Sequence, residues 1–264
     1  MVRKFVLILG LAMEAFAQGT FDGVTEPINQ ARIGFTVSGK IERIWVKEGS
    51  FVHKGDTLIS LENNEEQLRV RITAMAEKDS SALHSAKAKL ETYKKDLDAT
   101  KSLFENSNSV SAEQVWEKQM NYDVASAEYS AAANDKERAK LEHDLAKVEL
   151  SKRFLIAPFD GEVATISKNN GESVEALEPI LEIADVRTCR MVAYIIADKA
   201  GKLKVGQKVS LTLDGRKQNR SKKGKIEFVS PVVDKASMLR TIKIVFDNAD
   251  KAIEPGVTGK VILK

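Results

Sequence analysis

The sequence is poor in aromatic residues and cysteine, and its positive and negative charges nearly balance. Aromatic residues make up 6% of the 264 positions. This is too few for a thick globular core throughout, so part of the chain is expected to be elongated. The net charge of +3 gives no argument for nucleic-acid binding, and no basic surface interleaved with aromatic residues is evident. Cys189 is the single cysteine, so no internal disulfide can form and the fold depends on its core.

Beyond the N-terminus, the sequence also lacks a hydrophobic run long enough to span a membrane. Residues 1–17 are typical of a secretory signal: a basic pair at 3–4 precedes an apolar run at 5–13, and AFA at 15–17 places small residues where a signal peptidase reads. The run falls well short of the roughly twenty residues of a membrane anchor. An uncleaved short anchor is the alternative. The signal predicts an exported protein of a bacterial envelope.

Catalytic and metal-binding patterns are missing as well. The histidines His53, His84 and His143 are scattered, and no nucleophile–base pairing is visible. The six methionines and three histidines do not follow the spacing of metal ligands. A hydrolase and a periplasmic metal chaperone are therefore weak alternatives. We predict no enzymatic activity, no cofactor and no metal site.

Two distant segments, 39–62 and 161–184, share one spacing of glycine and aliphatic residues. In each segment apolar and polar residues alternate, as in half-buried strands, and Gly49 and Gly171 mark turns that require positive φ. We predict two strand–turn–strand units that bury their apolar faces against each other as a flattened sandwich. Aligning Gly39 with Gly161 superimposes Ile41 on Val163, Ile44 on Ile166, Val52 on Val174, Leu58 on Ile180, Ile59 on Leu181 and Leu61 on Ile183.

The segment between the repeats, 63–152, contains no glycine and no proline and is rich in Ala, Glu, Lys, Leu and Ser. This composition predicts long helices. Ser111 and Gln114 fit a capping box, so a second helix should begin near Ala112 after a turn near Asn108. The prediction is an antiparallel helical hairpin with arms of roughly 65 Å.

Heptad spacing predicts the seam of this hairpin, with one stutter between Ala86 and Leu90. The antiparallel register would place Leu68 opposite Val148, Ile72 opposite Leu145 and Leu97 opposite Met120. The first arm contributes Leu68, Ile72, Met75, Asp79, Ala82, Ala86, Leu90, Tyr93, Leu97, Thr100 and Phe104. The returning arm contributes Met120, Val124, Ala127, Ala131, Asn134, Arg138, Leu141, Leu145 and Val148.

One charged pair falls on this predicted seam. Asp79 lies opposite Arg138, and we predict that the pair fixes the register, since a lone charge on the seam would be costly. The alternative is that both charges lie at the edge of the seam in water, where the pair would contribute little.

The last third of the chain returns to short alternating strands separated by turn residues, which predicts a small closed β-barrel. The segment before the first repeat is expected to add a strand to this barrel. A basic stretch at 215–225, GRKQNRSKKGK, is interpreted as a hairpin loop that is either solvated or in contact with anionic lipid or an acidic partner.

The combination resembles a known family. The two repeats look like the halves of a lipoyl domain, but the lysine hairpin that joins the halves of a carrier domain is absent, which argues against a carrier-domain enzyme subunit. Together with APFDG at 157–161 and the barrel phrases VGQKVSLTL, GKIEFVSPVVD and PGVTGKVIL, the chain is similar to periplasmic adaptors (membrane fusion proteins) of tripartite efflux pumps, of the resistance-nodulation-division type.

The resemblance implies an elongated α+β fold: a split lipoyl-like β-sandwich, an inserted α-helical coiled-coil hairpin and a small β-barrel. The membrane-proximal domain of such adaptors is expected to be missing here. The implied units are a signal peptide at 1–17, a β-barrel at 18–32 and 187–264, a lipoyl-like domain at 33–62 and 153–186, and a hairpin at 63–152.

The resemblance also implies a function: a periplasmic adaptor that links an inner-membrane transporter to an outer-membrane channel as a sealed oligomeric conduit, commonly of six copies, without contact to nucleic acid. An adaptor of an ATP-driven exporter or of a type I secretion system is the alternative. The tip would contact the channel. There Ser111 matches the family's serine, whereas Phe104 and Thr100 occupy the leucine and arginine positions. The implied contact residues are Thr100, Lys101, Phe104, Asn108, Val110 and Ser111.

Overall fold

The computed structural model describes residues 19–107, 109–214 and 219–263. The predicted signal peptide and Asn108 lie outside the described residues. The strands are β1 (Gly19–Ile33), β2 (Gly39–Ile44), β3 (Phe51–Val52), β4 (Thr57–Leu61), β5 (Phe154–Ile156), β6 (Gly161–Ile166), β7 (Ser173–Val174), β8 (Leu181–Ile196), β9 (Lys208–Leu213), β10 (Arg220–Val229), β11 (Leu239–Asp247) and β12 (Thr258–Leu263). The helices are α1 (Asn64–Lys78), α2 (Ser81–Ser107), α3 (Ala112–Ser151) and α4 (Ala197–Ala200).

Six strands close into an antiparallel barrel in the order β1-β12-β9-β10-β11-β8, and β1 pairs with β8 to complete the ring. Alternate residues point inward, as in β9, where Val209, Leu211 and Leu213 are buried. Each such aliphatic side chain contributes roughly 1.5–3 kcal/mol when it is removed from water. The predicted barrel and its added N-terminal strand are therefore confirmed.

The two sequence repeats pair with each other in a pseudo-twofold arrangement. The short middle strand of each copy pairs with the first strand of the other, β3 with β6 and β7 with β2. Backbone hydrogen bonds repeat in the same way: Gly49 N–H donates to the Val163 carbonyl at 2.8 Å, and Gly171 N–H donates to the Ile41 carbonyl at 2.9 Å. Both glycines have positive φ, 80° and 86°, as predicted.

The aligned aliphatic residues of the two copies form one core. Ile41, Leu58 and Leu61 of the first copy are at most 1% exposed, as are Val163, Ile180 and Ile183 of the second. They pack in one cluster that is distinct from the barrel core. Equivalent residues are therefore buried in equivalent places, and the predicted mutual burial of the repeats is confirmed.

Two long strands run without interruption through both cores. β1 and β8 pair from Gly23–Ala193 down to Ile33–Leu181, with one irregularity between Pro27 and Asn29. At the far end of this ladder β8 also pairs with β6 of the sandwich. The predicted boundary between residues 186 and 187 thus falls inside a strand, and the barrel and the sandwich share a two-stranded ribbon.

The first helical arm is broken, contrary to the expectation of an uninterrupted helix. α1 ends at Lys78, and Asp79 adopts an extended conformation with φ −65° and ψ 120°. The Asp79 carboxylate accepts a hydrogen bond from Ser81 N–H at 2.9 Å, and this bond is the main cause of the lowered pKa of Asp79. Lys136 of α3 donates to the carbonyls of Glu77 and Asp79. Local polar side chains compete with the helix here, and a lysine satisfies its free carbonyl groups.

α3 runs back antiparallel to α2 and α1, and contacts between the helices set the register. The Arg69 guanidinium lies 3.3 Å from Glu149, and Lys89 lies 2.7 Å from Glu128. The hydrogen bond to Glu128 raises the pKa of Lys89. Thr73 Oγ1 lies 3.0 Å from His143 Nδ1, and the His143 side chain is 9% exposed. The antiparallel direction agrees with the prediction.

The seam predicted for the returning arm is wrong. Its large apolar members on α3, which are Met120, Val124, Leu141, Leu145 and Val148, are 47–60% exposed. The buried alanines are Ala125 and Ala146, which share a heptad stripe with the half-buried Ala132 and Ala139. Small side chains let two helix backbones approach closely, so this alanine stripe forms the internal contact. In α1 the predicted residues Leu68, Ile72 and Met75 are also exposed, whereas Leu97 of α2 is buried as predicted.

The predicted register pair is replaced by other contacts. Arg138 binds Asp135, one turn earlier on α3, at 2.6 Å, and the carboxylate of Asp79 is bound to Ser81. Asp79 lies at the break rather than on a continuous seam, and Arg138 lies on the exposed stripe. The two charges have separate partners for this reason.

Two features of the barrel complete the comparison with the sequence. Arg220–Lys225 of the predicted basic loop belong to β10, where Lys222 pairs with Asp250 at 2.8 Å; residues 215–218 lie outside the described part. Cys189 is fully buried, and burial raises the pKa of its thiol to about 11. Asn248 is also fully buried, and its side chain binds the backbone carbonyls of Val186 and Ile253.

Candidate partner-binding surfaces

The tip of the helical hairpin is built by the predicted capping box. Ser111 Oγ accepts from Gln114 N–H at 3.2 Å, and Gln114 Oε1 accepts from Ser111 N–H at 2.8 Å. These bonds satisfy N–H groups that the helix leaves unpaired, and such a cap contributes about 1 kcal/mol. Ser111 is exposed, so its position at the tip is compatible with a contact beyond its structural role.

The other proposed tip residues differ in their availability. Thr100 donates to the Asp96 carbonyl within its own helix. Lys101 crosses to α3 and donates to Gln119 Oε1 at 2.9 Å, so its amine already has an internal partner. Phe104 is 37% exposed, and Val110 is half-buried. Asn108 lies outside the described residues.

Sequence reasoning missed an exposed tryptophan in the first turns of α3. Trp116 is 66% exposed, and Leu103 on α2 is 50% exposed. Tryptophan is among the residues enriched at binding hot spots, so this part of the tip is a candidate contact surface. The rarity of tryptophan, with two in the whole chain, was the available signal.

An exposed apolar stripe follows the length of α3, and we call it the α3 edge. It lies across the helix from the internal alanine stripe. A helix that carries two separate heptad stripes is typical of one that packs between two neighbours. The apolar residues of the α3 edge are Met120, Val124, Ala127, Ala131, Leu141, Leu145 and Val148.

A shorter stripe, the α1 edge, consists of Leu68, Ile72 and Met75. Thr73 and Glu77 of the same helix face α3, where both approach His143. At 100° per residue, the α1 edge therefore points away from α3. The hairpin thus has an apolar stripe on each outer edge. The Arg69–Glu149 contact places the α1 edge level with the lower part of the α3 edge.

The base of the hairpin is fixed to the sandwich by Arg153. Its guanidinium contacts one carboxylate oxygen of Glu66 through Nη2 at 2.6 Å and through Nε at 2.9 Å. Nη1 donates to the Ser38 carbonyl at 3.1 Å, and Leu61 N–H donates to the Arg153 carbonyl at 2.9 Å. One residue therefore joins α1, the end of α3 and two segments of the sandwich.

The sandwich exposes a groove with aromatic walls. Trp45 is 56% exposed and Phe51 is 37% exposed, and both line the groove together with Lys47 and Asp56. The Arg43 guanidinium stacks over the Trp45 ring at 4.7 Å. Aromatic side chains flanked by cations form a surface suited to an apolar group beside an anion.

A strained turn lies at the pseudo-twofold equivalent of a glycine. Gly55 has φ 95°, and its counterpart Leu177 has φ 66°. The N–H of Gly55 donates to the Ala157 carbonyl, and the N–H of Leu177 donates to the Phe35 carbonyl, so the two turns have one form. A non-glycine residue in this region costs roughly 1–2 kcal/mol, and Leu177 is 76% exposed. Burial within the chain therefore does not offset the strain.

Among residues 19–107, 109–214 and 219–263, no group of His, Cys, Asp and Glu side chains is arranged to hold a metal ion. In the same described part, no helix combines the length and the apolar character needed to cross a membrane.

Comparisons with known proteins show what this chain is similar to. Residues 191–264 match the family model of the CusB-like beta-barrel domain. The whole fold is that of a solved structure of MacA from Actinobacillus actinomycetemcomitans, with a TM-score of 0.65 and 23% identity over 93% of this chain and 78% of that chain. The chain thus has the fold of this solved structure, and the resemblance to periplasmic adaptors (membrane fusion proteins) drawn from the sequence is confirmed.

The chain is also similar in sequence to two proteins. The chain is 24% identical over 248 residues to the macrolide export protein MacA of Yersinia pestis, covering 92% of this chain. It is 25% identical over 228 residues to an uncharacterised protein of Haemophilus influenzae, covering 86% of this chain. The chain spans 66% of the length of the first relative and 52% of the second.

Proposed function

We propose that the chain is the periplasmic adaptor subunit of a tripartite efflux pump. Several copies would pack side by side. Their sandwich and barrel units would face an inner-membrane transporter, and their hairpins would face an outer-membrane channel. The helices would form a coiled-coil rod on a lipoyl-like domain. The role is mechanical: the assembled copies enclose a path for solute, and the adaptor performs no chemistry.

The observation that carries the proposal is the pair of apolar edges on opposite sides of the hairpin. Two edges at one level let the α3 edge of one copy pack against the α1 edge of the next, and repetition of this contact closes a ring. Covering a half-exposed aliphatic side chain contributes about 1 kcal/mol. The few residues of one contact therefore roughly offset the several kcal/mol that association costs, so isolated copies should associate weakly.

Disulfide trapping in cells tests the side-by-side arrangement. Cys189 is buried, so the background is low. The double variant Ile72→Cys with Leu145→Cys should give a ladder of crosslinked multimers on mild oxidation, because the two sites meet only between copies. The matched control is Ile72→Cys with Met120→Cys. The second site of this control lies about 37 Å further along the helix at 1.5 Å per residue.

The side-by-side arrangement is supported if the level pair, Ile72→Cys with Leu145→Cys, gives a ladder of multimers. The displaced pair, Ile72→Cys with Met120→Cys, and each single variant should give none. Equal crosslinking of the level and displaced pairs, or no multimer with either pair, refutes it.

The tip supports the second half of the proposal. Leu103, Phe104 and Trp116 have exposed apolar side chains, and the proposal assigns them to the contact with the outer-membrane channel. A photo-crosslinking amino acid at position 116 should capture a protein of the outer-membrane fraction, identified by mass spectrometry. The same label at His84, an exposed position on the middle of the hairpin, is the control and should capture neighbouring copies instead. Capture of soluble proteins only at position 116 contradicts the proposed orientation.

A further inference from the structure

The two repeats of the sandwich share a scaffold but differ in the residues that they present outward. At six equivalent exposed positions the first repeat has aromatic and basic residues, whereas the second has small polar residues, one anion and one alanine. Three of the first set are permanent cations, and exposed anions of the same repeat, including Glu42, Glu48 and Asp56, lie at other positions. The first set is Arg43, Trp45, Lys47, Phe51, His53 and Lys54, and the second is Thr165, Ser167, Asn169, Ser173, Glu175 and Ala176.

The strained residue Leu177 lies in the acidic turn of the second repeat, two residues after Glu175. Glycine satisfies the same backbone geometry in the first repeat, so the fold does not require leucine at this position. Backbone strain at an exposed apolar residue points to a use of the side chain outside the monomer.

The groove of the first repeat complements this turn. Trp45 and Phe51 offer the exposed parts of their rings, Arg43 lies over the Trp45 ring, and Arg187 lies over the Phe51 ring at 5.4 Å. Lys47 also lines the groove, so its rim is positively charged. Asp56 also lines the groove, but its carboxylate accepts a hydrogen bond from His53 N–H at 2.8 Å. On the opposing turn, Glu178 is already paired with Lys168 at 2.9 Å.

We propose that the turn containing Glu175 and Leu177 docks into the Trp45–Phe51 groove of a second copy. Leu177 would lie between the two rings, and Glu175 would face Arg43 or Lys47. The contact joins two different surfaces, so it is heterologous and propagates around a ring rather than closing a dimer. It rests on the proposed adaptor assembly, because it names the contact between sandwich units of neighbouring copies.

Disulfide trapping again supplies the first test. Lys47→Cys combined with Leu177→Cys should produce crosslinked multimers in cells treated with a mild oxidant. The control combines Leu177→Cys with Asn169→Cys, the pseudo-twofold equivalent of position 47, and should produce none. Equal ladders from both pairs, or no ladder from the first pair, overturn the docking.

The second test separates docking from folding. Leu177→Gly should leave the melting temperature of the purified chain unchanged or raise it, because the strain is removed. It should also lower the association constant, measured by analytical ultracentrifugation at high protein concentration, by at least about tenfold. Glu175→Lys should weaken association similarly, and adding Lys47→Glu should restore part of it. Unchanged association in Leu177→Gly, or a lowered melting temperature, refutes the proposal.

The crosslinked multimers of the Ile72→Cys/Leu145→Cys variant separate a failure of the sandwich contact from a failure of the adaptor assembly. If that ladder forms while the Lys47→Cys/Leu177→Cys pair gives none, the sandwich contact is wrong and the adaptor assembly stands. If both ladders are missing, the side-by-side assembly itself fails.

Discussion

Replacing Arg153 by methionine tests whether one side chain holds the hairpin at its angle to the sandwich. The Arg153 side chain is 25% exposed and its partner Glu66 is 17% exposed. Methionine keeps most of the apolar stem but removes every contact to Glu66 and to the Ser38 carbonyl. The carboxylate of Glu66 then stays partly buried without its cation.

The magnitude follows from these contacts. Hydrogen bonds to charged groups contribute about 1.5–3 kcal/mol, and partial exposure screens this pair, so we expect Arg153→Met to cost about 2 kcal/mol. Part of this loss of stability comes from leaving the Glu66 carboxylate partly buried without a cation. In a double-mutant cycle with Glu66→Gln, the coupling energy should therefore be about 1–1.5 kcal/mol.

Two assays follow the change. Urea unfolding monitored by circular dichroism gives the free energies for the cycle. Spin labels on α3 and on the sandwich give the distribution of hairpin angles, which should broaden in Arg153→Met. The control is Arg69→Met, which breaks the more exposed ion pair between Arg69 of α1 and Glu149 of α3. It should cost less than about 0.5 kcal/mol and leave the distribution unchanged. An unaltered distribution in Arg153→Met refutes the reasoning.

Other predictions concern the tip, the barrel and the cysteine. Ser111→Ala should lower the stability of the hairpin by about 1 kcal/mol, seen as faster amide exchange in the first turn of α3, whereas Ser109→Ala should not. Ile242→Ala, in the barrel core, should cost about 2–5 kcal/mol in chemical unfolding, whereas Ile196→Ala, at a half-exposed site, should cost far less. Because burial raises the pKa of Cys189 from 9.0 to about 11, the folded state holds the thiol proton more tightly. Its contribution to stability should therefore be complete below pH 9 and be lost as the pH rises toward 11. At pH 8 the thiol should react with an alkylating reagent only after unfolding, and rapid alkylation of the folded chain would contradict this.

The strands of the repeats and their shared core could be predicted because their signals are short-range and repeated. Alternation marks each strand, and glycines with positive φ mark the same turn in both repeats. The aligned aliphatic residues then identify one shared core, as the burial of Ile41 with Val163 shows. The continuity of β1 and β8 could not be predicted, because a strand that serves two cores alternates in the same way as two separate strands.

The helical seam could not be predicted from heptads alone. α3 carries two stripes with the same period. Hydrophobicity favours the one with Leu141 and Leu145, yet the internal contact uses Ala125 and Ala146, because close approach favours small side chains. A pattern records that a face is apolar and does not record whether the same chain or another chain covers it.

The candidate site was predictable to a similar extent. The cap at Ser111 follows from a local motif and is confirmed, whereas the break at Asp79 needed the lysine that α3 supplies from a distant part of the sequence. The strain at Leu177 could not be predicted, because the sequence does not show that its equivalent, Gly55, has a positive φ. The structure shows that Leu177 adopts the same glycine-like conformation.

The ribbon of β1 and β8 has a mechanical consequence. No slack linker separates the barrel from the sandwich on these strands, so a torque applied to one unit must pass to the other through paired backbones. The pairing register of the two strands shifts between Pro27 and Asn29, and we expect bending to concentrate there. A force applied to the barrel would therefore tilt the sandwich and the helical hairpin together about that point.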